Sequence, residues 1–440
     1  MYLILFFYIA AFFSLSLGEF GQFPFGSSFS ISITDVLLSF NFATLLIWNI
    51  GIKKNLKVPS GLVYMIIFWS FLILSLFFSL NLSGWLYLVR FIIYSSTLYI
   101  TYSLIKSGIL NLQEILSLLK ITTVALAMIG LLQLLFFPDL ESLTSLGYDP
   151  HKNRIFSTFL DPNFLGTFLN FSLILLVFEL VNATRESLRE FLKQHKWQLI
   201  TSVLLAVTII LTYSRSAYLM MAISLGIVLI VKNLKLLGVL AVITLVLFLT
   251  FPPFSQRIIG AMNVDKSAAE RFLSWDKGIK IFQNNPFLGV GFNNIRDYSI
   301  DNKLLRTYSA NGGNAGAGID SSIIFILATS GILGFLAFTA FLIKIISNIV
   351  SSLLANFESF YTLKLKPVKF LNQVHKLPGL SKWYKPVGPS NFKYLSFSLP
   401  LFALTVGLFA GSFFINSLFY PPIMFIWFSF LGVFYALSES

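Results

Sequence analysis

The chain has no cysteine. Disulfides and thiol chemistry are excluded, and cysteine usage says nothing about the redox compartment. Charge is also scarce, at 11% of 440 residues. A soluble domain carries about 25%. With 56% hydrophobic residues and a mean hydropathy of +0.82, the chain has too little polar surface to be wetted, so the bilayer is its solvent. There is no metal-spaced histidine cluster, because His151, His195 and His375 are scattered. There is no paired-aspartate motif for a nucleotide-sugar metal site and no Gly-Lys-Ser or Gly-Lys-Thr phosphate loop. No cofactor and no metal is therefore expected. The net charge of +13 is dispersed among apolar runs without a recognition motif, which argues against nucleic acid as a partner. Residues 1–18 lack a basic start and a small-residue cleavage site, so they read as a retained first helix.

What is present is a series of apolar runs. A window of about 20 residues suits a membrane helix. It picks out 2–18, 33–51, 60–80, 85–105, 115–137, 157–180, 198–213, 216–231, 236–251, 320–344, 394–415 and 420–437. The runs are continuous, not alternating, which excludes a β-barrel. The expected fold is all-α: a polytopic membrane protein of about twelve helices. Basic residues cluster at Lys53, Lys54 and Lys57, at Arg185, Arg189, Lys193 and Lys196, and at Lys232 and Lys235. Loops 19–32 and 81–84 contain none. Positive-inside then puts both termini in the cytoplasm of a cell-membrane protein, with the basic loop 345–393 beside anionic lipid. Residues 138–156 and the polar loop 252–319 fall outside, the whole chain forming one membrane domain.

Arg90 and Lys120 fall within expected spans, and Arg215 falls at the break between two of them. Centred in lipid, each costs roughly 2.5–3.5 kcal/mol on insertion scales, so Arg90 and Lys120 should snorkel or pair. Arg215 lies in Thr212-Tyr213-Ser214-Arg215-Ser216-Ala217, which breaks two short apolar runs at the outer face. There it can hold an anion, or merely meet lipid phosphate at a tight turn. In the polar loop, Ser267-Ala-Ala-Glu270 has the pattern of a capping box, and Phe272, Trp275, Ile279 and Phe282 follow helical spacing. Residues 268–284 thus read as an amphipathic helix, with Arg271 in its first turn, where a guanidinium suits phosphate. The turn Asn285-Pro-Phe-Leu-Gly-Val-Gly-Phe292 is no dinucleotide fingerprint. A glycine run follows, with Gly312, Gly313, Gly316 and Gly318, up to Asp320 at the start of the next span. Asp320 reads either as a helix cap or as a general base.

Together, Tyr213-Ser-Arg-Ser-Ala217, Arg271-x-x-x-Trp275, Asn285–Phe292 and Thr329-Ser-Gly-Ile-Leu-Gly334 resemble the O-antigen ligase and O-antigen polymerase family. Asp161-Pro-Asn163-Phe-Leu-Gly166 is similar to another stretch of that family, and the resemblance covers about residues 155–345. It implies a metal-independent membrane glycosyltransferase. Such an enzyme moves glycan from a polyprenyl-diphosphate carrier to a glycan or lipid acceptor hydroxyl at the outer membrane face. By the motif match Arg215 and Arg271 take the diphosphate, with Tyr213, Asn163 and Trp275 beside the substrate. Many family members have Ala-His-Asn where this chain has Ile319-Asp320-Ser321. Asp320 would then stand in for the usual base, which favours a polymerase over a ligase. The alternatives are an O-antigen or protein O-glycan ligase, a transporter of polysaccharide precursors, or a non-enzymatic assembly protein. A transporter should show matched halves with ionisable residues lining a path, and none are evident.

Overall fold

The computed structural model describes residues 1–25, 29–53, 58–79, 82–183, 187–262, 266–302, 304, 318–364 and 392–438. The glycines at 312, 313 and 316 and most of the basic loop 345–393 lie outside the described residues. Helices fill nearly everything else, and the sheet content among the described residues is one hairpin, Gln22–Phe25 paired antiparallel with Phe29–Ser32.

Each of the twelve apolar windows holds a helix, but not all are full spans. Among the described residues eight helices are long and apolar enough to cross a membrane. A ninth span results if Leu234–Thr250 and Pro252–Gly260, bent by 97° at their junction, count as one. Tyr2–Leu15, Lys196–Leu211 and Phe397–Ser412 are apolar but shorter. The expected twelve is therefore not reached on length.

At the centre stands Pro421–Ser438, buried continuously from Ile423 to Ala436. It packs on Thr97–Lys106, with Gly432 allowing the Leu98 main chain to approach where a Cβ would collide. Pro162–Asn182 is similarly enclosed. Its Gly166 faces Ala217 so closely that an added Cβ would sit 2.6 Å from the alanine methyl. Apolar lipid offers no hydrophobic drive between helices, so close backbone approach through small residues supplies the packing. Leu234–Thr250, by contrast, has no buried residue and turns every face outward.

Two of the charges within the spans are paired. Arg90 meets Asp35 at 2.7 Å and lies over the Phe29 ring at 4.2 Å. Asp35 also completes a capping box with Ser32, so one ion pair ties the hairpin to two helices. Lys120 faces Glu179 at 3.9 Å beside a cavity with room for about one water.

The long helix Ser322–Lys364 is broken at Gly331, whose φ is 63°. The turn Asn285–Phe292 fills the break. Val290 and Gly291 donate to the Ala328 and Thr329 carbonyls, both at 3.0 Å, and Ile332 donates to Pro286 at 2.8 Å. Ser75 donates to the Leu288 and Thr329 carbonyls at 2.6 and 2.7 Å. A side chain at Gly331 would strike the Phe287 main chain, so both the close approach and the positive φ require glycine there.

Candidate functional site

Three helix starts meet at one end of the bundle. The first is that of Pro162–Asn182, where Asp161 accepts from the Asn163 and Phe164 amides at 2.6 and 3.2 Å. The second is the break at Thr212–Ser214. Lys196–Leu211 ends there, Tyr213 takes a φ of 48°, and Ser214 caps Arg215–Lys232 by accepting from Ala217. The Ser214 hydroxyl donates to Asn163 Oδ1 at 2.9 Å, so the first two starts are stitched together. Lys196 and Lys232 occupy the far ends of the two helices that meet at the break.

Arg154 locks this junction. Its Nε donates to the Thr212 carbonyl at 2.8 Å, and its guanidinium also reaches Tyr213 O and His151 Nδ1. A cation on the last carbonyls of a helix is favoured by the dipole. Arg215 does the same for the bent helix Pro252–Met262, donating to Gly260 O at 2.8 Å.

The third start carries Asp320. Its cap is Ser321, whose hydroxyl accepts from Ile324 at 3.4 Å. Asp320 instead has its main chain clamped by Lys266–Asn284. Ser274 Oγ accepts from its amide at 2.8 Å, and the Trp275 indole donates to its carbonyl at 3.0 Å. Trp275 in turn packs against Phe272 and Phe414. Gly278 lets Ile319 and Ile324 seat against the same helix. Ser321, rather than Asp320, thus supplies the cap of this helix. The helix already runs at Lys266, so Ser267 lies within it rather than at its cap, and Arg271 falls in the second turn.

The charges at this end act on one another. Burial, then Arg257 and Arg271 against Asp161, bring Arg154 down to about 10. His151 is lowered to about 4, first by burial and then by Arg154 and Arg257, so it is neutral at physiological pH. Asp320 is raised by the surrounding protein, with Arg271 and Lys277 opposing and Asp161 and Glu270 reinforcing. Asp149 rises to about 6 for the same first reason, then through Asp161, Asp320 and Glu270. Both carboxylates remain exposed, so solvent screens these shifts. Lys277 is lowered, chiefly by burial. Among the described residues no three His, Asp or Glu side chains come together in a way that could hold a metal ion.

Of the residues singled out in the sequence, the structure gathers Asp320, Trp275 and Arg271. Asn163 and Tyr213 join them at the adjoining break, through Ser214 and Arg154. Arg215 is drawn toward Gly260 and the bent helix. Arg154, Asp149, Asp161, Arg257 and Glu19 were not singled out as site residues. One signal was visible for Arg154: with Lys152, it places basic residues in a segment assigned to the outside. Asp161-Pro162 also carried the N-cap and N1 pattern of a helix start.

Residues 200–339 match the family model described as O-antigen ligase. The match takes in Arg215, Arg271, Trp275 and Asp320, and leaves out Glu19, Arg154, Asp161 and Asn163. No curated protein matches the chain. The chain is a multi-pass membrane protein, and its O-antigen ligase domain supports glycosyl transfer of the ligase or polymerase type.

Proposed function

We propose that this protein transfers glycan units from a polyprenyl-diphosphate carrier to an acceptor hydroxyl at the outer face of the cell membrane, as a polysaccharide polymerase. One observation carries the reading. Arg257 and Arg271 both act on Arg154, and Arg271 also acts on Asp320, so these groups share one end of the bundle. A diphosphate with bidentate oxygen pairs suits guanidinium forks. The lysine-bearing ends of the neighbouring helices lie opposite, which agrees with an external site and cytoplasmic termini.

The chemistry follows from the charges. The acceptor oxygen attacks the anomeric carbon, and the bond from that carbon to the diphosphate oxygen breaks. The acceptor's proton passes to the Asp320 carboxylate, and the electron pair of the broken bond leaves with the diphosphate. Negative charge grows there, so preorganised arginines stabilise the transition state more than the ground state. The carrier's tail stays in lipid, since each buried CH2 contributes about 0.8 kcal/mol. Asp320, where many family members have histidine, favours polymerisation over ligation to a lipid or a protein.

The test is chain-length analysis of surface glycan after gene deletion. Accumulated carriers with a single repeat are expected. Carrier-linked polymer of full length that fails to transfer would indicate a ligase, and unchanged surface glycan would reject the reading.

A further inference from the structure

The charges divide at Asp161. On one side stand Arg154, Arg257 and Arg271; Asp161 acts on Arg154 and on Asp320 there. On the other side Asp161 acts on Glu19, in the turn Gly18–Gly21 that follows the first helix. That turn is held by an unusual contact. Gly18 has a φ of 52° and lies so close to Thr158 that a Cβ would overlap the Thr158 main chain. Glu19 is thereby fixed against the segment that leads into Asp161, far from it in sequence.

Glu19 is a partly buried carboxyl. Among the described residues no Lys, Arg or His forms an ion pair with it. Arg90, which also acts on it, is committed to Asp35 at 2.7 Å. Its partners are the Tyr148 phenol, through a long bond of 3.4 Å to Oε2, and the Gln22 side chain. Gln22 in turn accepts from the Ser30 hydroxyl. A carboxylate offers about four lone-pair sites, so these partners leave acceptor capacity unused. Burial is the main cause that lifts Glu19 to about 7, with Asp161 adding to it. A partly buried carboxyl with no ion pair among the described residues is costly to the fold once ionised.

We infer that Glu19, Tyr148 and Gln22 form the subsite for the acceptor's sugar, binding its hydroxyl groups across Asp161 from the arginines that face the donor diphosphate. The inference rests on the glycosyl-transfer reading above. It adds that the two substrates are sorted by charge. The anionic end of the donor goes to guanidinium groups, and an uncharged or amino-bearing sugar goes to a carboxyl, an amide and a phenol. All three acceptor-side groups lie outside the stretch that matches the family.

Two probes test it on the full-length protein in nanodiscs. One is farnesyl diphosphate, a soluble carrier mimic. The other is the glycan released by mild acid from carrier-linked units of a strain lacking the gene, which carries no phosphate. Glu19→Gln keeps the shape and removes the charge, and Tyr148→Phe removes a single hydroxyl. Each variant should weaken binding of the released glycan at least tenfold and leave farnesyl diphosphate binding within twofold of wild type. Unchanged glycan binding in both variants would overturn the inference. So would loss of both probes together, which marks a structural role, or absence of glycan binding by the wild type. If the wild type fails to bind farnesyl diphosphate, the diphosphate reading falls, and the glycan arm still decides the role of Glu19.

Discussion

Replacing Asp320 by asparagine separates proton transfer from architecture. Two roles are available to a carboxylate at a helix start, and the structure assigns the capping role to Ser321, whose Oγ accepts from Ile324. The hydrogen bonds that hold residue 320 use its main chain: the amide to Ser274 and the carbonyl from Trp275. Asparagine is nearly isosteric and disturbs neither, so Tm should stay within a degree or two of wild type. If Asp320 takes the acceptor's proton, transfer should fall by about 10²–10⁴-fold, the usual contribution of a positioned base. Ser321→Ala should show the reverse pattern. It removes the cap and destabilises by about 1 kcal/mol, with little effect on transfer. The pH dependence adds a further check. A base works in its ionised form, so wild-type activity should decline as pH falls through the raised value of Asp320, and that acid limb should vanish in Asp320→Asn. The assay is elongation of extracted carrier-linked glycan by membranes carrying each variant. Near-normal transfer by Asp320→Asn would refute the assignment.

Four further outcomes are expected. Arg271→Lys should reduce transfer at least tenfold at unchanged expression, because a point charge does not reproduce a planar fork; full activity would remove Arg271 from the diphosphate site. Glu19→Gln should raise Tm at pH 8 and leave it unchanged at pH 4. The folded state holds the Glu19 proton up to about 7, against an ordinary value of 4.5, so stability is complete below 4.5 and is lost as pH rises toward 7; equal Tm shifts at both pH values would refute this. Gly331→Ala should destabilise by about 1–3 kcal/mol or abolish accumulation, since φ is positive and the Phe287 main chain occupies the space; a wild-type Tm would contradict the break. In this cysteine-free chain, Ser142→Cys should label from outside the cell and Gln194→Cys only after permeabilisation; labelling from one side would overturn the topology.

Much of this was legible in the sequence because lipid makes simple demands. Low charge and long apolar runs identified the class, and Tyr213-Ser-Arg215 marked a real break. The amphipathic pattern after residue 267 marked the helix that clamps Asp320. The failures share a cause. Whether Leu234–Thr250 and Pro252–Gly260 form one span or two depends on a 97° bend that hydropathy does not encode. Ser267 matched a capping pattern, yet the helix starts before it. Arg154 and Glu19 acquire their meaning from Thr212 and Thr158, partners brought close only by helix packing.

The break at Gly331 also bears on how the protein is made. A segment entering a bilayer must satisfy its own backbone groups, since each unsatisfied one costs several kcal/mol in hydrocarbon. In the finished protein the Ala328 and Thr329 carbonyls are served by Val290, Gly291 and Ser75, from two other parts of the chain. Both partner segments precede this helix in the chain, so the break is satisfied only where the helix packs against Ser75 and the Asn285–Phe292 turn. The direction of the Asp320 end of that helix therefore depends on packing partners elsewhere in the chain, and a substitution that loosens Ser75 or the Asn285–Phe292 turn would reorient it.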